Sequence, residues 1–229
     1  MLRKFLAAMG VTLAASGSTA AAERYQPYVE SHANFLYNLL FCDDIELFRT
    51  QGAEKGAGLW NTLLAERPDK TALRNVASDE ANEGRVRAIA FNRLRELGER
   101  VPPKRLLGVI VEVPLPQGLD VLAAFSEGGV RYLNHSGKVA VFEGQGNPVE
   151  GLAKELISVA RSVIDKIGPW DGKRLPPPPA GNVRITFLVS DGLYFGEGPF
   201  ADLHQDAMAG QVLSKATQLL QRAVGLVTE

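Results

Sequence analysis

The chain has one cysteine, Cys42, among 229 residues, and this excludes an intramolecular disulfide and any zinc site built from several thiolates. Long apolar runs are also missing. A bilayer-crossing helix needs about 20 consecutive apolar residues, and no stretch after the first fifteen approaches that length. Basic excess is absent as well: 25 Lys+Arg face 26 Asp+Glu, with no cluster that would form an electrostatic footprint for nucleic acid. Dinucleotide, phosphate-loop and nucleophile-elbow signatures each lack a required residue.

What is present begins with a leader. Arg3 and Lys4 precede an apolar run from Phe5 to Ala15, and small residues end at Ala20-Ala21-Ala22, the pattern of a cleavable secretory signal over residues 1–22. Arg3-Lys4 only loosely approaches a twin-arginine motif, so the general secretory route is expected. Removing the leader leaves 207 residues, 23 basic and 26 acidic, because it holds two basic side chains and no acid. The net charge is then −3. A body of this size can bury about 70% of its unfolded surface in a core without covalent staples. The expectation is an exported, periplasmic or secreted, soluble protein with no membrane span once the leader is gone.

Residues 23–104 read as helical. Val29–Phe41 suits a buried helix or, from Phe35, a strand, and Asp43 or Asp44 caps a short helix carrying Ile45, Leu47 and Phe48. The plainest helix is predicted over Asp79–Arg100, with Ser78 as N-cap, the apolar stripe Val86, Ala90, Leu94, Leu97 and Val101, and Pro102-Pro103 as its stop. Residues 105–229 supply the sheet. Leu106–Val113, Val121–Phe125, Val130–Leu133 and Lys138–Glu143 are joined by tight turns at Gly128-Gly129 and His135-Ser136-Gly137, a four-stranded meander. A helix capped by Asn147 and Pro148, with Glu150 closing a capping box, presents Val149, Leu152, Leu156, Val159, Val163 and Ile167. After a stretch with four prolines, Val183, Ile185, Phe187 and Val189 alternate in a fifth strand. Asp191-Gly192 turns into a short sixth, Leu193–Phe195, and a final helix over about 207–227 presents Met208, Val212, Ala216, Leu219, Ala223 and Val227. The predicted fold is a two-layer α+β domain: an antiparallel sheet of about six strands covered by two long amphipathic helices, with a helical N-terminal region packed beside or around it.

Candidate functional residues are few. Gly144-Gln145-Gly146 sits between strand and helix, but Val149 replaces the third glycine of a dinucleotide turn and the preceding strand belongs to a meander, so no nucleotide cofactor is expected. His135-Ser136-Gly137-Lys138 lacks the leading glycine of a phosphate loop, and Ser136 lacks that of a nucleophile elbow. Asn134-His135-Ser136 is formally a glycosylation sequon. Cys42 and Ser136, each with His135 or another histidine, are the candidate nucleophiles of a hydrolase. Asp191, Glu197, Asp202 and His204 lie in the acidic, glycine-bearing segment 190–206 and are the candidate ligand-binding residues. That segment fails as a calcium loop, because Ala207 and Leu213 stand where glycine and glutamate are needed, and as a zinc site for want of further ligands, so no metal is expected. Lys173-Arg174-Leu175 before Pro176–Pro179 could be a polyproline ligand but suits a stiff spacer better. The functional expectation is a non-catalytic module of the cell envelope that binds a small molecule or a protein, the alternatives being that hydrolase or a structural, oligomeric envelope protein.

Overall fold

The computed structural model describes residues 23–52 and 58–228. The leader expected over residues 1–22 lies outside the described residues. Five helices come first: α1 Ser31–Leu39, α2 Ile45–Gly52, α3 Leu59–Leu64, α4 Lys70–Ser78 and α5 Gly84–Glu96. Then follow β1 Leu106–Leu115, β2 Gly118–Phe125, β3 Val130–Leu133, β4 Val139–Phe142, α6 Glu150–Ile164, β5 Asn182–Val189, β6 Gly192–Pro199, α7 Phe200–Gln205 and α8 Ala209–Thr228. Among the described residues no helix is long and apolar enough to cross a membrane.

All six strands are antiparallel neighbours in the order β4-β3-β2-β1-β5-β6. The meander β1–β4 follows from its tight turns. β5 returns beside β1 after α6, which places the longest strand at the centre of the sheet. Strand alternation then sorts side chains to two faces. Val109 and Val111 of β1, Leu122 and Ala124 of β2, and Val183, Ile185, Phe187 and Val189 of β5 meet the buried stripes of α6 and α8, including Leu156, Val163, Val212 and Leu219. This is the expected two-layer α+β arrangement. On the other face, Ile110, Val121, Ala123, Phe125 and Leu133 meet the N-terminal helices through Tyr37, Phe41, Leu73, Ile89 and Leu94. Helices therefore cover both sides of the sheet.

Several boundaries differ from the sequence expectation. The helix predicted from Asp79 starts at Gly84, because Ser78 closes α4 and Asp79 folds back to accept the Ala81 N–H. A Cβ at Gly84 would collide with the Leu107 carbonyl oxygen, so this residue lets α5 sit directly on β1. Its end comes before the prolines: Gly98 adopts φ +72°, the Gly98 N–H reaches the Arg95 carbonyl and the Glu99 N–H the Leu94 carbonyl, which together stop the helix. Val29–Phe41 is helical, not extended, from Ser31. Asp44 caps α2 by accepting the Glu46 N–H, and Asp69 caps α4 by accepting the Ala72 N–H. Glu150 reaches back to the Gly146 N–H instead of closing a box with Asn147. β6 runs on to Pro199 instead of ending at Phe195, paired with β5 along its whole length. At the end of α8, Val227 is exposed, where the apolar stripe had included it.

Candidate functional site

The candidate nucleophiles are not assembled. Cys42 is buried midway along the α1–α2 connection in a left-handed conformation, φ +56°. Its thiol points at the Leu39 and Leu40 carbonyls, and burial pushes its pKa up to about 12, so it stays protonated and unreactive at neutral pH. Ser136 lies on the β3–β4 hairpin tip, where its hydroxyl donates to Asn134 Oδ1. His135 beside it turns the other way: its Nδ1 lies 3.2 Å from Asp120 Oδ1, and its backbone N–H donates to the same oxygen. Turn chemistry accounts for the Ser136 contact, and the Asp120 carboxylate on neighbouring β2 for those of His135.

The acidic segment is drawn out along the sheet rather than gathered into a loop. Asp191 and Asp202 stand beyond opposite ends of β6, whose eight residues span about 23 Å at the usual strand rise. Asp191 accepts the Lys104 N–H at Oδ1 and the Tyr194 hydroxyl at Oδ2. Glu197 projects from mid-β6 and takes two guanidinium donors from Arg184, at 2.8 and 2.5 Å on the same oxygen. Asp202 and His204 lie on α7, where His204 tilts against the exposed Phe200 ring at 5.6 Å. No group of three metal-ligating side chains occurs among the described residues.

Two polar features that the sequence did not announce stand out instead. The first is buried beneath the N-terminal helices. Glu112 of β1, Arg184 of β5 and Glu197 of β6 form one row across neighbouring strands. Glu112 is 0% exposed; its Oε1 accepts the Tyr37 hydroxyl at 2.7 Å, while Oε2 has no hydrogen bond and lies 3.8 Å from Arg184. Burial raises the Glu112 pKa above the usual carboxylate range, against the opposing pull of Tyr37 and of Arg184. Arg174, from the segment before the prolines, completes the cluster. It pairs with Asp43 at 2.8 Å, donates to the Glu23 carbonyl and to Asn38 Oδ1, and lies 4.2 Å from the centre of the Phe41 ring. In return the Tyr25 hydroxyl donates to the Arg174 carbonyl. Lys173-Arg174 thus acts as a strap over the N-terminal segment, and every contact of this cluster is internal to the fold.

The second feature is open. A groove of about 960 Å³ lies at the end of the sheet where β1 begins and β2 ends, between α5 and α6. Leu106 and Ile164 form its apolar floor. Around them stand Arg87 of α5, Lys104 and Arg105 before β1, Glu127 of the β2–β3 turn, the Gly144-Gln145-Gly146 loop, and Lys154 and Arg161 of α6. One wall is pinned through Ser190-Asp191. The Arg105 N–H donates to Ser190 Oγ, and Lys104 is held at φ +56° by Asp191 on its N–H and by the Asp165 carbonyl on its Nζ. Glu127 accepts the Gly84 N–H at 2.7 Å, and its burial raises its pKa. Asp191, one of the sequence candidates, therefore acts by positioning this wall.

No protein-family model matches the chain, and no curated protein matches it significantly.

Proposed function

We propose that this is an exported, non-catalytic binding module of the cell envelope, whose groove between α5 and α6 docks a polar segment of a partner protein. The observation that carries this reading is the groove itself: concave, charged around its rim, and larger than any turn or cap requires. Small-molecule sites of about 300–1,000 Å³ are mostly apolar and enclose their ligand. This one is at the top of that range, open to solvent and dominated by charged side chains, which suits a protein segment better. Among the described residues, the placement of Cys42, Ser136, His135 and His204 supplies no activated nucleophile in support of the hydrolase reading.

The test is site-specific photo-crosslinking in cells that export the protein. A photoreactive residue at Gln145, in the groove, is expected to give discrete protein adducts that the same residue at Gln221, exposed on α8 away from the groove, does not. Equal adducts at both positions, or none at Gln145, would sink the proposal. Replacing Cys42 and Ser136 with alanine should leave the Gln145 adducts in place.

A further inference from the structure

The charges around the groove balance in number but not in pairing. Five basic and six acidic side chains line it, which by count makes it slightly negative. Yet Glu83 pairs with Arg85, Glu143 pairs with Arg85 and Arg131, and Glu150 pairs with Lys154. Glu127 is committed to the Gly84 N–H. Among the described residues, Arg87, Lys104, Arg105 and Arg161 have no salt-bridge partner, and of the lining acids only Glu80 and Asp165 are similarly unengaged. Three of those four cations are guanidiniums, carried by three different segments. Arg87 is itself buried, its Nε donating to the Ala77 carbonyl, and burial lowers its pKa, with Glu80 opposing the shift and Arg105 adding to it. Arg87 and Arg105 share the groove lining, and neither has a carboxylate within salt-bridge distance, so an anion entering the groove would find guanidinium donors uncommitted to any carboxylate.

Resting on the docking reading above, we propose that the groove recognises a carboxylate-rich segment of its partner protein through Arg87, Arg105 and Arg161. Guanidiniums offer paired donors in the planar geometry that carboxylates accept. The two unengaged acids, Glu80 and Asp165, stand in the same lining and would repel a uniform polyanion such as a nucleic-acid backbone. The chain as a whole, at net charge −1, provides no long-range field to attract one. An acidic peptide with occasional basic residues satisfies both signs.

The experiment uses the full chain and two labelled twelve-residue peptides, one alternating Glu and Ser, the other alternating Lys and Ser, followed by fluorescence anisotropy at low ionic strength. The Glu peptide is expected to bind and the Lys peptide not to. Arg105→Glu and Arg161→Glu, both at exposed positions that leave the fold intact, should each weaken binding about tenfold. Arg222→Glu, exposed on α8 outside the groove, should leave it unchanged. Binding that ignores Arg105→Glu and Arg161→Glu, preference for the Lys peptide, or displacement of the Glu peptide by an equal concentration of inorganic phosphate would each overturn the proposal. Adducts at Gln145 in cells together with no Glu-peptide binding would remove this inference and leave the docking reading standing; loss of both would remove the two together.

Discussion

The two faces of the sheet are built on different principles. Beneath α6 and α8 the contact is apolar, made by Val, Ile, Leu and Phe from four strands against the buried stripes of two long helices. Beneath the N-terminal helices a comparable apolar cluster is interrupted by Glu112, Arg184 and Tyr37, with the buried guanidinium of Arg174 pinning the strap from within. The first face tolerates adjustment, because dispersion contacts are many and individually weak. The second depends on a few directional contacts between charges shielded from water, where leaving one partner unmatched costs more than the pair itself contributes. The directional contacts thus lie on one side of the molecule, where the short helices pack, and the uninterrupted apolar packing on the other.

The sharpest test of that contrast is Arg174→Ala. It leaves Asp43, the Asn38 amide oxygen and the Glu23 carbonyl without their cation, and loss of about 3–5 kcal/mol is expected from denaturant unfolding. A loss under about 1 kcal/mol, the scale of an exposed pair, would show that the strap is only a surface contact. Leu156→Ala, at a fully buried position on the apolar face, should cost about 3 kcal/mol through lost transfer energy and the cavity left behind. If Leu156→Ala proved more damaging than Arg174→Ala, the assignment of the directional contacts to the dominant role on their side would have to be reversed.

The smallest effect is the most diagnostic. Glu112 carries a pKa raised by burial, so the folded state holds its proton more tightly than the unfolded chain does. Its contribution to stability is therefore present at low pH, declines as pH rises from the unfolded value of about 4.3 through the raised folded value, and stays lower above it. Glu112→Gln removes the titration while keeping an acceptor for Tyr37. The difference in unfolding free energy between the natural protein and this variant should shift in the variant's favour as pH rises through that window. A difference that is flat with pH would mean that Glu112 is no harder to ionise in the folded protein than in the unfolded chain.

Much of the apolar face was legible in the residues. The alternation Val183, Ile185, Phe187, Val189 and the spacing Val212, Ala216, Leu219, Ala223 are direct consequences of strand and helix periods, and the structure buries all eight. The opposite face was not, because the same alternation leaves Arg184 and Thr186 looking like the watered side of β5. Both are buried, Arg184 with its guanidinium donating to the Pro176 carbonyl and to Glu197. Glu112, isolated between Val111 and Val113, was the one visible irregularity in an otherwise apolar run. β6 was underestimated because Gly196 and Gly198 have low strand propensity, yet full pairing with β5 overrides it. The groove left almost no trace: of its lining, only Gly144-Gln145-Gly146 carried a candidate functional motif, and that was a failed nucleotide turn.

Local chemistry by itself determined where the chain turns, which residues alternate, and that strands joined by tight turns would pair antiparallel, since each depends on neighbours a few positions apart. Whether a given charge meets water, a partner or nothing was decided only by the tertiary structure. Arg174 and Asp43 lie 131 positions apart and become neighbours, whereas Arg87, Arg105 and Arg161, drawn from three segments, converge on one groove without a carboxylate partner. Burial and pairing are properties of elements packed together, and no short-range pattern encodes them.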